Sequence, residues 1–383
     1  MSSARTLEEE LAAVRDSLAT LGDPWQAGET GLSRLGGESR SARLGVPVPS
    51  AEEVERRATL PGEMTEAALG TAGQRCTAAN APTDRLPSAF DLRAAPCGDY
   101  LTPVKDQGEC GSCTAFAVAA AIEGTAAYTR GVPGLGLDVS EAHLYFGYEA
   151  VRERKDHDGS WPDDILGDCV DRGVTFEDYW PYRQDGAGAL NPDWPNRLVR
   201  AENIIDLTRK PAEIKHHIYG YGPVTACMVV YEDFFHYTGG VYRHTTDKSI
   251  GGHACALIGW DDEQGCWIAK NSWGTAWGED GFFRIAYGEA YIEDYPDPRP
   301  TTLGCTGVAL RAWLPPQRAL GLFASARGGN GWVYLENLGW TRVSGGFGGA
   351  GDPLALLSGA RAGGYPVIPF VENDELLLVQ TNY

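Results

Sequence analysis

Gln107-Gly108-Glu109-Cys110-Gly111-Ser112-Cys113-Thr114-Ala115-Phe116 decides how this chain is read. Two distant pieces complete it: Gly252-His253-Ala254 and Asn271-Ser272-Trp273-Gly274. A thiol is a weak acid and needs a base to become a nucleophile. The base needs a third group to hold its ring, and an acyl intermediate needs donors for its oxyanion. Gln107, Cys113, His253 and Asn271 supply one residue type for each task. Residues 115 to 123 favour helix, and Gly108 and Gly111 lie just before them, so the spacing predicts Cys113 in the first turn of a helix. Amides and dipole at a helix N-terminus lower a thiol pKa.

Read together, these pieces resemble the papain-like cysteine peptidases, including the family's downstream His and Asn. The string Asn271-Ser272-Trp273-Gly274-Thr275-Ala276-Trp277-Gly278 carries most of the resemblance, with Leu86 to Arg93 looking like the opening of a family catalytic domain. One departure is Thr114, where the family usually has an aromatic. The resemblance implies a two-lobed α+β fold, a helical lobe and a β-barrel-like lobe, over residues 87–314. It implies that Cys113 attacks a peptide carbonyl, that His253 moves the proton, that Asn271 fixes its tautomer, and that Gln107 donates to the oxyanion. Trp273 and Trp277 would shield the Asn–His hydrogen bond. No cofactor and no metal are implied. Gly159 and Ser160 match the strand that pairs with substrate backbone. Trp161, Pro162, Cys227, Gly251 and Ala254 match the walls of the pocket for the second residue upstream of the cut, which suggests an apolar preference; Trp161 packing at the lobe interface is the other reading. His157 stands where the family usually has the disulfide partner of Cys110, which suggests an intracellular or bacterial-type branch. Two alternatives stay open: an acyl transferase or peptide ligase using the same residues, and a binding module with a vestigial site whose contacts come from residues 317–383.

Composition narrows the partners. The chain has 383 residues and a formal net charge of -20. Nucleic acid and anionic membranes repel such a chain, so neither is an expected partner; the resemblance implies a peptide or protein substrate. High negative charge also serves solubility. No stretch is apolar enough to span a bilayer, and the acidic start shows no secretory pattern, which favours a cytoplasmic location. Of the 9 cysteines, Cys227 and Cys255 sit in strand-like apolar runs and Cys169 on the apolar face of a helix, as buried thiols do. Cys110 and Cys113 have the spacing of half a zinc site, but no second pair follows. His216 and His217 are adjacent, point apart on a helix and read as surface residues; His143 belongs to a scaffold helix.

The remaining chain divides at residues 86 and 315. Thr6 and Glu9 make a capping box for a helix over residues 6–21. Its seam of Leu7, Leu11, Val14, Leu18 and Leu21 must bury somewhere. Residues 22–49 read as a linker, and a second short helix is expected from Ser50 to Pro61. Residues 1–86 are thus an N-terminal extension, a possible propeptide docked on the catalytic domain and approaching the cleft between Cys113 and Trp161. A partner-binding arm or a simple linker is the alternative. Strands are expected at 222–230, 253–260, 266–271, 282–286 and 308–313. Beyond Pro315-Pro316, residues 315–383 read as a small β-rich module; Trp332 and Trp340 are expected in its core, with exposed glycan- or peptide-binding residues as the other reading.

Overall fold

The computed structural model describes residues 6–47, 86–148, 159–314, 316–325, 330–343, 353–372 and 375–381. The expected helix from Ser50 to Pro61 and His157 lie outside them. The chain starts with helix α1 (Leu7–Leu21), where Thr6 and Glu9 form the reciprocal capping box and Gly22 ends the helix in the left-handed conformation. Strand β1 (Trp25–Ala27) and helix α2 (Gly37–Ser41) follow. Residues 22–47 are therefore a structured, docked segment, where the sequence suggested a linker. The helical lobe is built around α3 (Cys113–Arg130), entered after β2 (Ala89–Asp91). The lobe adds a π-helical turn (His143–Gly147), α4 (Pro162–Asp171), β3 (Val174–Thr175) and β4 (Leu198–Asp206). Helix α3 is buried on all sides over its first four turns. Its small residues, Ala115, Ala117, Ala119, Ala120 and Ala121, let neighbouring elements approach closely.

The second lobe holds α5 (Pro211–Gly220), β5 (Val224–Tyr231), β6 (Tyr237–Tyr242), β7 (Ser249–Asp261), β8 (Cys266–Lys270) and β9 (Phe282–Ala286). Strand β10 (Thr302–Trp313) pairs with both β5 and β4 and so ties the lobes together. The chain then forms β11 (Ala319–Ser325), β12 (Asn330–Leu335), β13 (Gly339–Val343), α6 (Pro353–Gly363), β14 (Ile368–Glu372) and β15 (Glu375–Gln380). Strand β14 pairs with β10, so the sheet runs on past residue 315 without a break: β6-β9-β8-β7-β5-β10-β14-β15-β13-β12-β11. This stretch is mixed rather than purely β, since α6 covers one face of its strands through Leu357 and Ala360.

Three core clusters follow from this layout. One joins the helical lobe to the C-terminal stretch, from Ala115 and Ile122 through Val308 to Val333, Leu357 and Leu376. A second fills the other lobe and takes in Leu18, Trp25 and Leu32 of the N-terminal segment. A third lies between the lobes at the cleft. The aromatic assignment in the C-terminal stretch needs correcting. Trp340 is half-exposed and stacks edge-on with Tyr334; the core there is Val333, Leu335, Leu338 and Val343. His217 is also not a surface residue: it is 4% exposed, because α5 turns it against Gly304 of β10.

Candidate active site

Cys113 opens α3 with Ser112 as its N-cap. Strand β7 carries His253 opposite Met228 of β5, and Asn271 follows the last residue of β8. The ring Nε2 of His253 lies 2.8 Å from Asn271 Oδ1, which fixes the tautomer if that nitrogen carries the proton. Trp273 packs over the imidazole with ring centroids 4.6 Å apart and is itself stacked on Phe235. Trp277 meets Trp273 edge-on at 5.0 Å. The Asn–His hydrogen bond is thus roofed by indole and kept from water. Gln107 is held by its backbone N–H to Ser272 O at 2.9 Å, and its Oε1 accepts from Ser272 Oγ at 2.6 Å. Contacts through Ser272 and Ala254 bring Gln107 and Cys113 to the His253–Asn271 pair.

A segment of the chain's own N-terminus fills the cleft above them. Gly45 lies over Cys113, and the backbone N–H groups of Ala254 and Gly45 face the sulfur. Gln107 Nε2 donates to Arg43 O at 2.9 Å and to Cys110 O at 2.6 Å, so the amide expected at an oxyanion is engaged by this strap. Ser160 N–H donates to Gly45 O at 2.8 Å, and Val46 N–H donates to Gly252 O at 3.1 Å. Tyr295 Oη donates to Pro47 O, and Arg43 pairs with Asp106 at 2.7 Å. The Val46 side chain packs with Trp161, Cys227 and Ala254, three of the residues expected to wall a pocket. Gly159 approaches Gly45 O so closely that a Cβ there would lie 2.3 Å from it, and Gly251 backs onto Leu44. Pro162 is the first residue of α4 and is buried.

The fit is tight. A Cβ on Gly45 would come 1.7 Å from Gly111 O, so only glycine allows this approach. The docking behind it is equally specific. Trp25 is buried between Tyr237 and Tyr242 and donates from Nε1 to Arg243 O at 2.8 Å; burial of an indole contributes on the order of 4 kcal/mol. Strand β1 extends the sheet at the edge of β6. Arg40 reaches Ser33 O and Glu10, and lies over the Phe235 ring.

Enclosure sets the charge state. Burial pushes the Cys113 thiol up to about 11, against the lowering effect of the nearby amides. Burial pulls His253 down to about 4, although its bond to Asn271 favours the charged ring. His253 Nδ1 is buried without a hydrogen-bond partner. The pair is therefore neutral thiol and neutral imidazole in this closed state.

Behind the site lies a charged cluster that the sequence reading missed. Lys105 Nζ is 2.7 Å from Glu141 and 2.6 Å from Asp138, with Glu123 at 3.8 Å. Lys270, next to Asn271, donates to Thr102 O at 2.8 Å. Burial raises Glu141 to about 8 against the pull of Lys105. Lys105, Glu123, Glu141 and Lys270 line a small void of about 20 Å³ beside Asn271 and Ser272. The only available signal was that Lys270 adjoins Asn271 and Glu141 follows Ser140. All described cysteines are free thiols, and no group of three or more His, Cys, Asp or Glu among the described residues is arranged to hold a metal.

A two-lobed fold with a thiol at the start of a buried helix, faced by the N–H of Ala254 next to a strand-borne His253 that is bonded to Asn271, fits a thiol peptidase. The comparisons agree. Residues 86–296 match the family described as papain family cysteine protease, and the chain belongs to that family. It is 33% identical over 218 residues to "Cathepsin B-like CP3" of Giardia intestinalis, covering 52% of this chain and 69% of that one. It is 31% identical over 230 residues to "Pro-cathepsin H" of Mus musculus, covering 57% and 67%. Among solved structures, "proCathepsin B S9 from Trypanosoma congolense" matches with a TM-score of 0.60 at 22% identity, over 77% of this chain and 97% of that one. A procathepsin L2 from Tenebrio molitor matches at 0.59 and 24%. The fold is papain-like and the chain is a cysteine-type peptidase.

Proposed function

We propose that Cys113 is the nucleophile of an endopeptidase and that residues 43–47 hold it shut. The observation that carries the first part is the 2.8 Å contact between His253 Nε2 and Asn271 Oδ1 beneath Trp273, at the N-terminus of α3. With the cleft open, the Cys113 thiolate attacks the peptide carbonyl and His253 gives its proton to the leaving amine. Water, deprotonated by His253, then cleaves the thioester. Gln107 donates to the oxyanion once Arg43 O has left it. Gly159 and Ser160 pair with the substrate backbone, and Trp161, Pro162, Cys227, Gly251 and Ala254 shape an apolar pocket. Val46 in that pocket supports the apolar preference.

The strap resists cleavage through its direction. A substrate places the residue of this pocket before the one at the thiol. Here Val46 in the pocket comes after Gly45 at the thiol, so the strap runs backwards. The N-terminal extension then serves as an inhibitory propeptide. The branch is a separate matter. The relatives above are eukaryotic, so the bacterial-type reading rests on His157 alone. Incubating the full-length protein with a mixed peptide library tests the proposal. Mass spectrometry should show hydrolysed products that depend on Cys113, appearing as residues 43–47 are lost. Aminolysed products in place of hydrolysed ones would mean acyl transfer, and no turnover after strap removal would refute the peptidase assignment.

A further inference from the structure

The sheet ends at β1 on one side and at β11 on the other. A sheet edge is a row of unpaired backbone N–H and C=O groups, and proteins blunt it with short strands, prolines or charges. Strand β1 is blunted by its length of 3 residues. Strand β11 is not. It runs for 7 residues, Ala-Leu-Gly-Leu-Phe-Ala-Ser, with no proline and no charged side chain. It pairs with β12 on one side, and no strand among the described residues pairs with its other side. Leu320 and Phe323 are 47% and 56% exposed along it. A bulge between Ala319 and Gly321 leaves residues 321–325 regular. Leu322 lies opposite Val333, on the face packed by α6. The other face is aromatic: Phe323 lies beside Trp332, and Gly321 beside Tyr334 and then Trp340. The charges nearby are neutralised in pairs, Arg318 with Glu336 and Arg342 with Glu375.

We propose that β11 is the seam of a symmetric dimer, in which the β11 strands of two copies pair antiparallel about Phe323 and the sheet runs on from one copy into the other. The register follows from the strand itself, because residues directly opposite each other share a face. Centring the pair on Phe323 uses all of the regular residues 321–325. Centring it on Leu322 would set Phe323 of one copy opposite Gly321 of the other, where a Cβ would already lie 3.1 Å from the Trp340 indole. Centring it on Gly321 would run the pairing into the bulge. With Phe323 at the centre, Gly321 meets Ser325, Leu322 meets Ala324, and Phe323 meets its own copy. The two Phe323 rings then continue the Trp332 side chains into one row of four aromatics across the seam, the kind of cross-strand contact that stabilises sheets. Each copy carries a net charge of -20, which repels a second copy over most of the surface. An uncharged strand is where two such chains can meet. The seam lies in the C-terminal stretch and does not rest on the peptidase assignment.

Sedimentation velocity of the full-length protein tests this from about 1 to about 200 μM, where interfaces at the small end of the size range associate. The expected result is a reversible shift from monomer to dimer. Raising salt from ~50 to ~500 mM should strengthen it severalfold, because screening relieves the repulsion between two acidic chains. Phe323→Lys sets like charges opposite each other and should leave monomer at every concentration, with peptidase activity after strap removal unchanged. Phe323→Glu should do the same. An equimolar mixture of the two variants should dimerise again, since opposite charges then meet at the centre of the seam. Hydrogen exchange at residues 321–325 of the parent should slow as concentration rises, a readout that needs no variant. The proposal fails if the parent stays monomeric throughout, which would leave the edge to a strand of another protein. It fails equally if the dimer persists in Phe323→Lys or if the mixture stays monomeric. Slow exchange at residues 321–325 at every concentration would also overturn it, since the chain would then cover its own edge.

Discussion

The two ends of α3 treat empty space in opposite ways. At the N-terminal end, Gly45 fits against Gly111 so closely that one extra methyl would collide, and strap carbonyls take up Gln107 and Ser160. At the C-terminal end, a cavity of about 260 Å³ lies under Leu338 with two arginines fixed at its wall. One helix thus has its reactive end filled by its own chain and its other end open. The filling at Cys113 is peptide backbone, held by Ser160, which is proposed to pair with a substrate, and by Gly252 beside His253. Its contacts therefore report how the cleft grips an extended chain.

The largest effect should come from the reactive end itself. Cys113→Ala, assayed after removal of the N-terminal segment, should lower kcat by about 10⁴ or more, since the remaining donors catalyse little without the nucleophile. His253→Ala should be nearly as damaging. Asn271→Ala should lose roughly 10²-fold, because the base survives with a poorly held ring. A Cys113→Ala variant that still turns over would remove the contrast between the two ends.

The second effect is an increase. Gly45→Val places a side chain where Gly111 O already stands, so the strap can no longer seat over Cys113. The full-length variant should cleave peptide at least tenfold faster than the parent, while both match once the N-terminal segment is removed. Equal full-length rates would mean that the strap does not control access.

Acid should act in the same direction, more weakly. His253 titrates at about 4 in the closed state and near ~6.5 when solvated. A histidine whose closed-state pKa is lowered binds its proton preferentially in the open state. Closure is therefore fully stabilised above ~6.5 and loosens as pH falls towards 4. His236 is lowered as well, by burial and by Arg40, against the raising effect of Glu10, and it lies under the docked segment. Hydrogen exchange at residues 43–47 should quicken between pH 7 and 4, and less so in His253→Asn. Exchange independent of pH would sever protonation from release.

What the sequence disclosed depended on where each element finds its partners. Cys113, His253 and Asn271 could be read because their chemistry demands those residue types and the string from Asn271 to Gly278 is unusual. The strands of the second lobe announce themselves by apolar runs, and β9 has the expected bounds. The strap did not. Leu44-Gly45-Val46-Pro47 looks like a linker because its order comes from hydrogen bonds to Ser160 and Gly252, not from local propensity. The three residues of β1 are too short to show a period. Helix α6 is masked by its Gly and Ala content and by the Gly-rich chain before it. His217 was misplaced because its adjacency to His216 does not tell which of the two faces β10.

The smallest effect separates packing from chemistry within one motif. Cys110 and Cys113 share the same short stretch, and both are buried. Cys110 belongs to the core of the helical lobe with Ala115 and Tyr145. Its contribution at the cleft is its backbone carbonyl, which accepts from Gln107 at 2.6 Å, and alanine preserves that group. It is a free thiol, so no cross-link is lost. Cys110→Ala should therefore cost about 1 kcal/mol of stability, the order expected for removing one buried atom of modest size, and shift Tm by roughly 2–4 °C. Peptidase activity after strap removal should stay within about twofold of the parent. Loss of activity in Cys110→Ala with the fold intact would put the nucleophile at the wrong cysteine; loss of the fold would show that this lobe depends on the sulfur far more than its packing suggests.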